Sequence, residues 1–402
     1  MPLGFQTTIK VCDCSAISFP PEAEQPTVSS PDTLEALTLA SRHLVEQREC
    51  VVFPTETVYG LGALALDADA ASKIYSTKGR PADNPLIVHI SSLSMLQRLL
   101  PPQYNLPKTY EIMIKRFWPG PLTLLFPSDP SKVPSIITAG QPTVAIRMPS
   151  HPVARSLIAI ADAPLAAPSA NSSGKPSPTR AEHVYRDLNG KVDIILDGGP
   201  CDIGLESTVV DGLHEDGAIR VLRPGGVTVE DIENAVREGL PVSDPVPQVL
   251  VHKRDFSDEA IEQAPTTPGM KYRHYSPSVG VTLVSAKPHP ADATTVAVDT
   301  FLSSITSQAS SAHKTPYVGL LAPEDSPLAQ RLMHEDAIRW RYYPLGPLSK
   351  PAVSAHRLFD GLLTLDKEGV DFIVVEALNE EREGLAIMNR IRKAASSVVC
   401  LS

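Results

Sequence analysis

The sequence contains no run of about 18 apolar residues, so nothing in it reads as a membrane span. Its five cysteines, Cys12, Cys14, Cys50, Cys201 and Cys400, are scattered and odd in number, and none forms a CxxC pair. Neither a disulfide scaffold nor a zinc knuckle is supported, and a reducing compartment is the natural expectation. No histidine pair, Cys–His dyad or carboxylate cage stands out, which argues against covalent catalysis and against a structural metal. The glycine-rich nucleotide motifs are incomplete too. GLGALA, from Gly60, lacks the third glycine of GxGxxG, and the Gly174-Lys175 pair is followed by Pro176, with Ser169 where a Walker A loop needs glycine. The first 25 residues lack both the charged start and apolar core of a secretory leader and the arginine richness of a transit peptide. The cytoplasm is the expected compartment, with a mitochondrial fraction left open. Positive charge is also in deficit: 36 Lys and Arg stand against 46 Asp and Glu, a net charge of −10. Any phosphate or nucleic-acid site must therefore be a local basic cluster on an acidic protein.

What is present suits a globular enzyme. The 402 residues are 42% hydrophobic and 20% charged, enough to bury a sizeable core, and two domains is the simplest partition. The 39 prolines are roughly double the average share, a density that a long-helix protein would not tolerate. Residues 1–30 read as an extended lead-in. Ser30-Pro31-Asp32 then reads as a helix start, with Ser30 as cap and Pro31 at the first helical position. From there to about 240, helical and strand patterns alternate, beginning with the strand CVVFPT that ends in a turn-rich YGLG. STVVDG and IRVLRPG read as a hairpin through Glu215-Asp216-Gly217. The expected fold is an α/β domain over 31–240 with a twisted mixed sheet. Residues 241–278, rich in Pro and Gly, read as a linker. Over 279–402 a smaller, doubly wound Rossmann-like α/β domain is expected, with DFIVVEA as a buried parallel strand and the Ser-rich 303–312 as a loop or frayed helix.

Several segments carry groups suited to binding an anion. FPTETVYGLG (53–62) runs from a strand into two threonines, a glutamate and two glycines; a tight turn with capping threonines is an equal reading. In STKGRPADNPLIVH (76–89), Lys78 and Arg80 flank a glycine, a point charge and a bidentate fork suited to a phosphate chain. Taken alone, a helix C-cap with cations on the dipole explains that placement better. WPGPLT (118–123) reads chiefly as a turn that packs its tryptophan into the core. Arg147 ends the apolar strand TVAIRMP, a position that open α/β sheets aim into a cleft. APSANSSGKPSPT (167–179) can form a nest of backbone N–H groups and short hydroxyls, or be a flexible loop. Glu206, Ser207 and Arg223 fall at the ends of the paired strands, and all three can face one side. Lys78, Arg80, Arg147, Lys175 and Arg223 thus sit at loop or strand-end positions of one domain, interleaved with hydroxyls and amides, a pattern suited to a nucleotide. The linker closes on PGMKYRHYSP, whose cations, histidine and tyrosines a mere linker does not require.

PTETVYGLG, KGRPADNPLIVH, WPGPLT, TVAIRMP, APSANSSGKPSPT, ESTVVD and LRPGG, in this order, resemble the YrdC-like threonylcarbamoyl-AMP synthases. PGMKYRHYSP and the C-terminal α/β domain resemble the longer, two-domain form of that family. The resemblance covers about 31–402. It implies a nucleotidyltransferase that condenses L-threonine, bicarbonate and ATP to L-threonylcarbamoyl-AMP and pyrophosphate. Mg2+ would accompany the ATP in a positively charged concave cavity, with no metal ligand from the protein. A downstream transferase would then move the threonylcarbamoyl group onto an adenosine of tRNA, a weak direct tRNA contact being left open. Carried onto this chain, the resemblance implies that Lys78 and Arg80 neutralise the phosphates and carry the catalysis. Asn84, Thr143, Ser169, Asn171, Ser177 and Arg223 would also bind ATP, with His274 or Tyr275 reaching over the nucleotide as a lid. Thr57, His89, Arg147, Ser207 and the Ala167 backbone would hold threonine, Arg147 pairing its carboxylate. The C-terminal domain is expected to order the linker over the cavity. A double-stranded RNA-binding module is the alternative, disfavoured by the acidic total. A carbamoyl-transfer enzyme of hydrogenase maturation is a third, and the absent CxxC pairs speak against it.

Overall fold

The computed structural model describes residues 6–20, 23–267, 274–286, 295–310 and 315–402, which leaves 268–273 of the PGMKYRHYSP motif outside the described residues. The chain divides into two compact units, Met1–Ser173 with Ser177–Tyr272, and Gly174–Pro176 with Arg273–Ser402. None of the described helices is long and apolar enough to cross a membrane.

Among the described residues the first unit builds one mixed sheet of 11 strands. Across it run Thr8–Val11, Ile194–Asp197, Val51–Phe53, Gly60–Leu64, Leu165–Ala166, Ile87–His89, Thr143–Arg147, Leu122–Pro127, Thr208–Asp211, Ile219–Arg223 and Val249–Val251. Helices pack on it, the first at Pro31–Val45, where Ser30 Oγ accepts from the Thr33 N–H at 3.3 Å and Pro31 occupies the opening turn. These are the start signals the residues carry. Ala36, Leu37, Ala40 and Leu44, spaced for one helical face, are buried. The Thr208–Asp211 and Ile219–Arg223 strands form the expected antiparallel pair, with a bulge between Val209 and Val210.

Three expectations are corrected. Residues 1–30 are not merely a lead-in: Thr8–Val11 adds a parallel edge strand, in register with Ile194–Asp197. The stretch 241–278 is not linker throughout, because Val249–Val251 adds the opposite edge, parallel to Ile219–Val221. Both pieces are too short to show a period, and the sheet recruits them through its open backbone donors and acceptors. YGLG is not a turn; Gly60–Leu64 is a strand antiparallel to Val51–Phe53. Its glycine at position 62 serves packing, since a Cβ there would stand 2.5 Å from Cε1 of Phe53, whose ring lies over the strand.

The second unit is a wholly parallel sheet of six described strands, in the order Thr295–Val296, Ser397–Leu401, Gly280–Ser285, Phe372–Glu376, Tyr317–Ala322, Arg339–Pro344. Phe372–Glu376 lies between two strands with Ile373, Val374 and Val375 buried, as its unbroken apolar run requires. The Ser-rich stretch lies mostly within a helix, Val298–Ser310, whose Phe301, Leu302 and Ile305 enter the core.

Candidate active site

Register decides what the first sheet displays. Thr143–Arg147 pairs in parallel with Ile87–His89, setting His89 opposite Arg147, and antiparallel with Leu122–Pro127, setting Thr123 opposite Arg147. Paired residues share a face, as do residues two and four apart along a strand. Thr143, Arg147, His89 and Thr123 therefore stand on one face. Ser207, just ahead of the next strand, joins them through a 2.8 Å contact between its Oγ and that of Thr123. Arg223 donates from NH2 to the Ser207 hydroxyl at 3.2 Å and its carbonyl at 3.0 Å. Between these polar groups lies Ala145, and Ala167 is tied alongside by its N–H to the Ile87 carbonyl at 3.0 Å.

Arg147, 3% exposed, is gripped from three sides. Nε donates to the Gly120 carbonyl at 3.2 Å, NH1 to Thr57 Oγ1 at 2.8 Å, and NH2 lies 2.6 Å from Glu56 Oε1. The WPGP turn thus does more than pack Trp118, whose indole donates to the Leu122 carbonyl at 2.7 Å; its Gly120 carbonyl also holds the guanidinium. Thr57 is in turn fixed by Thr55, with 2.8 Å between their hydroxyls.

His89 is 3% exposed, and burial first, then the Arg147 cation, push its pKa down to about 3. The imidazole is neutral through the physiological range. Because its folded pKa lies below the unfolded value, the stability it contributes is complete above about 6.5. That contribution is lost as pH falls and the unfolded chain takes up a proton that the native state refuses. The His89→Asn variant should therefore show a flatter dependence of urea-unfolding free energy on pH between 6.5 and 4, by up to ~1.4 kcal/mol per pH unit. Parallel profiles for the two proteins would contradict the assignment.

A second group of predicted residues surrounds the 167–179 segment. The Leu61 N–H donates to Pro168 O, Ala170 N–H to Tyr59 O and Tyr59 N–H to Pro178 O, all within 2.9 Å, stitching the segment along the strand that follows Thr57. Lys78, the last residue of the helix Ala68–Lys78, donates from Nζ to the carbonyls of Ser169 and Asn171. Burial, and then Arg80, hold its pKa well below the ordinary lysine value. Arg80 donates to the carbonyls of Asn84 (3.3 Å) and Pro85 (3.0 Å) from NH2. Gly79 caps the helix with φ 61°, so the capping role holds as well. Both cations are therefore wired into backbone as well as drawn from separate elements. Asn84 is 1% exposed, yet neither amide atom has a hydrogen-bond partner, and Thr143 Oγ1 is buried and unpartnered too. Buried polar groups left unsatisfied are uncommon, and a ligand is one thing that satisfies them.

Ser177 links the two groups, donating to Glu206 Oε1 at 2.6 Å one residue ahead of Ser207. Gly225, in LRPGG, explains why that corner is tight: a Cβ there would stand 2.3 Å from the Glu206 carbonyl oxygen and 2.4 Å from the Ser207 carbonyl carbon. Backbone cannot yield as a side-chain tip does. Gly225→Ala should cost ~1–3 kcal/mol of stability, read as a lower urea midpoint, and displace Ser207; an unchanged midpoint would show that the corner relaxes freely.

The remaining predicted residues belong to the second unit: Lys175, with Gly174–Pro176, and His274 and Tyr275. Tyr275 is buried there at φ 70°, its ring 5.1 Å from that of Phe359 and the Arg390 guanidinium 5.9 Å away. Glu56, Thr123 and the Gly120 carbonyl are contributors the sequence reading did not single out. The clue for Glu56 was charge parity, since a strand-end arginine that is buried requires an anion beside it. Among the described residues, no group of three or more His, Cys, Asp or Glu is placed to hold a metal ion.

A sequence profile described as "Telomere recombination" (Sua5, YciO, YrdC) matches residues 43–225, and one described as "Threonylcarbamoyl-AMP synthase, C-terminal domain" matches residues 227–396. The chain is 42% identical to the threonylcarbamoyl-AMP synthase of Schizosaccharomyces pombe, with 98% of each chain covered. It is 41% identical to that of Bacillus subtilis, covering 89% of this chain and 92% of the relative. Among solved structures, Sua5 of Pyrococcus abyssi complexed with L-threonine is similar at a TM-score of 0.75 and 36% identity, covering 98% of this chain and all of that one.

Proposed function

The chain belongs to the Sua5/YrdC family of threonylcarbamoyl-AMP synthases in its two-domain form, and from that premise we propose how its own residues serve the reaction. It is an enzyme that makes threonylcarbamoyl-AMP, with threonine and ATP as substrates.

The chemistry proceeds in two steps. Threonine's amine adds to bicarbonate with loss of water, or to CO2 with loss of a proton, and either route gives a carbamate. A carbamate oxygen then attacks the α-phosphorus of ATP; the new P–O bond forms as the bond to the bridging oxygen breaks and pyrophosphate leaves. Transfer of the adenylyl group makes this a nucleotidyl transfer, which requires positioning and charge neutralisation rather than a nucleophilic side chain. Arg147 holds the threonine carboxylate, with Thr57, Ser207, the neutral imidazole of His89 and the Ala167 backbone around the rest of the amino acid. Lys78 and Arg80 neutralise the phosphates as pyrophosphate departs. Asn84, Thr143, Ser169, Asn171, Ser177 and Arg223 hold the nucleotide, and His274 or Tyr275 is the candidate for closing over it. Magnesium enters with ATP as part of that substrate, its shell supplied by phosphate oxygens and water. The product is a reactive mixed anhydride, so a transferase must consume it, the acceptor in this family being an adenosine of tRNA. The cytoplasm is the compartment proposed for it.

The single observation that carries this reading is the polar face built from Thr143, Arg147, His89, Thr123, Ser207 and Arg223 on adjacent strands. The same burial speaks against a duplex-RNA surface: Lys78, Arg80, Arg147 and Arg223 are all at most 8% exposed, whereas phosphate-backbone binding uses accessible cations. The test is pyrophosphate release with threonine, bicarbonate and ATP, omitting each in turn. Release should require all three; release without threonine, or indifference to bicarbonate, would remove the proposed chemistry.

A further inference from the structure

We propose that Glu56 is a positioning residue for the substrate carboxylate, acting through Arg147. The inference rests on the assignment of Arg147 to that carboxylate. A guanidinium carries five N–H groups. Two are engaged in hydrogen bonds, Nε–H by Gly120 O and one N–H of NH1 by Thr57 Oγ1, and NH2 stands in an ion pair 2.6 Å from Glu56 Oε1. Donors remain on both terminal nitrogens, which is what a bidentate carboxylate contact takes. Which of them are presented, and in which plane, is set by how Gly120, Thr57 and Glu56 hold the guanidinium.

Glu56 is the charged one of those contacts. It is 4% exposed and, among the described residues, is the one anion in contact with the guanidinium. Its backbone is fixed, because its carbonyl accepts from the Ile203 N–H at 2.8 Å. The residue on its far side, Thr57, takes the other terminal nitrogen, so one short segment sets the azimuth of the fork from both sides. Without substrate, Glu56 also offsets a cation that burial would otherwise disfavour. A charge-balancing role alone and a positioning role predict different things. Only positioning makes the loss depend on whether the ligand has a carboxylate.

The experiment measures binding of L-threonine and of L-threoninamide, which keeps the ammonium and hydroxyl but lacks the carboxylate. The proteins are wild type, Glu56→Gln, Arg147→Lys and the double variant, with ATP binding as a control. Glu56→Gln should weaken threonine about tenfold, the size of one charge-assisted hydrogen bond. It should change threoninamide and ATP less than about twofold, and add nothing to Arg147→Lys in the double variant. Equal losses for both ligands, or additive losses in the double variant, would overturn the proposal. If Arg147→Lys itself fails to discriminate between the two ligands, the carboxylate assignment falls instead. Where Glu56→Gln does not fold, Glu56→Asp keeps the charge while withdrawing it by one methylene, and the same discrimination is expected. A folded Glu56→Asp protein that binds both ligands as the wild type does would also overturn the proposal, since charge balance alone requires only the charge, and so would failure of both variants to fold, which would make Glu56 a structural residue.

Discussion

Replacing Arg147 with lysine should raise the KM for threonine about 30- to 100-fold while leaving the KM for ATP within about twofold. The substitution keeps the positive charge, so Glu56, 2.6 Å from NH2, is not left as an uncompensated buried anion. What is lost is the fork. A lysine ammonium cannot hold Gly120 O, Thr57 Oγ1 and Glu56 at once and still present two parallel donors to a carboxylate. The guanidinium is 3% exposed, so bulk water does not replace the missing contact. Initial rates of pyrophosphate release, with threonine and ATP varied separately, read the split. A rise in both constants together would mean that Arg147 supports the pocket as a whole rather than the amino acid.

Lys78→Met should lower kcat by about 100- to 1,000-fold, the scale of removing one charge-stabilising group from a transition state. The reasoning couples position with electrostatics. Burial holds the lysine's pKa well below its ordinary value, so the ammonium is costly until an anion stands beside it. A departing pyrophosphate is such an anion. The variant has a second, smaller signature, because the Ser169 and Asn171 carbonyls lose their shared donor. Stability should fall by ~1–3 kcal/mol, visible in urea unfolding. Single-turnover pyrophosphate release at saturating substrates separates the two effects. Full turnover in a folded Lys78→Met protein would remove this lysine from the chemistry.

Local signals in the sequence were legible where the local rule and the tertiary outcome agree. The Ser30 cap, the hairpin through Asp216 and the buried run DFIVVEA are of that kind. Strand-end and hairpin positions also pointed to Arg147 in a cleft and to Ser207 and Arg223 on one side, whereas His89 entered only through the family resemblance. Contacts made between remote segments were not legible. Glu56 and Arg147 meet across a sheet whose strand order interleaves distant pieces of chain, and no spacing announces that pairing. Gly60–Leu64 misled for a definite reason: its glycines mark a ring passing close overhead, not a reversal of the backbone. Tyr275 sits against Phe359 in the core of the second unit, a packing that no local periodicity of the motif encodes.

Val249–Val251 bears on any attempt to trim the protein. It is the outermost partner of Ile219–Arg223, the strand that carries Arg223. A fragment stopping near residue 240, where the helix Val229–Gly239 ends, would strip that partner away. The bared rim of backbone amides and carbonyls would then be free to stick to another copy, beside a binding arginine. The smallest self-sufficient piece of the first unit therefore extends past Val251.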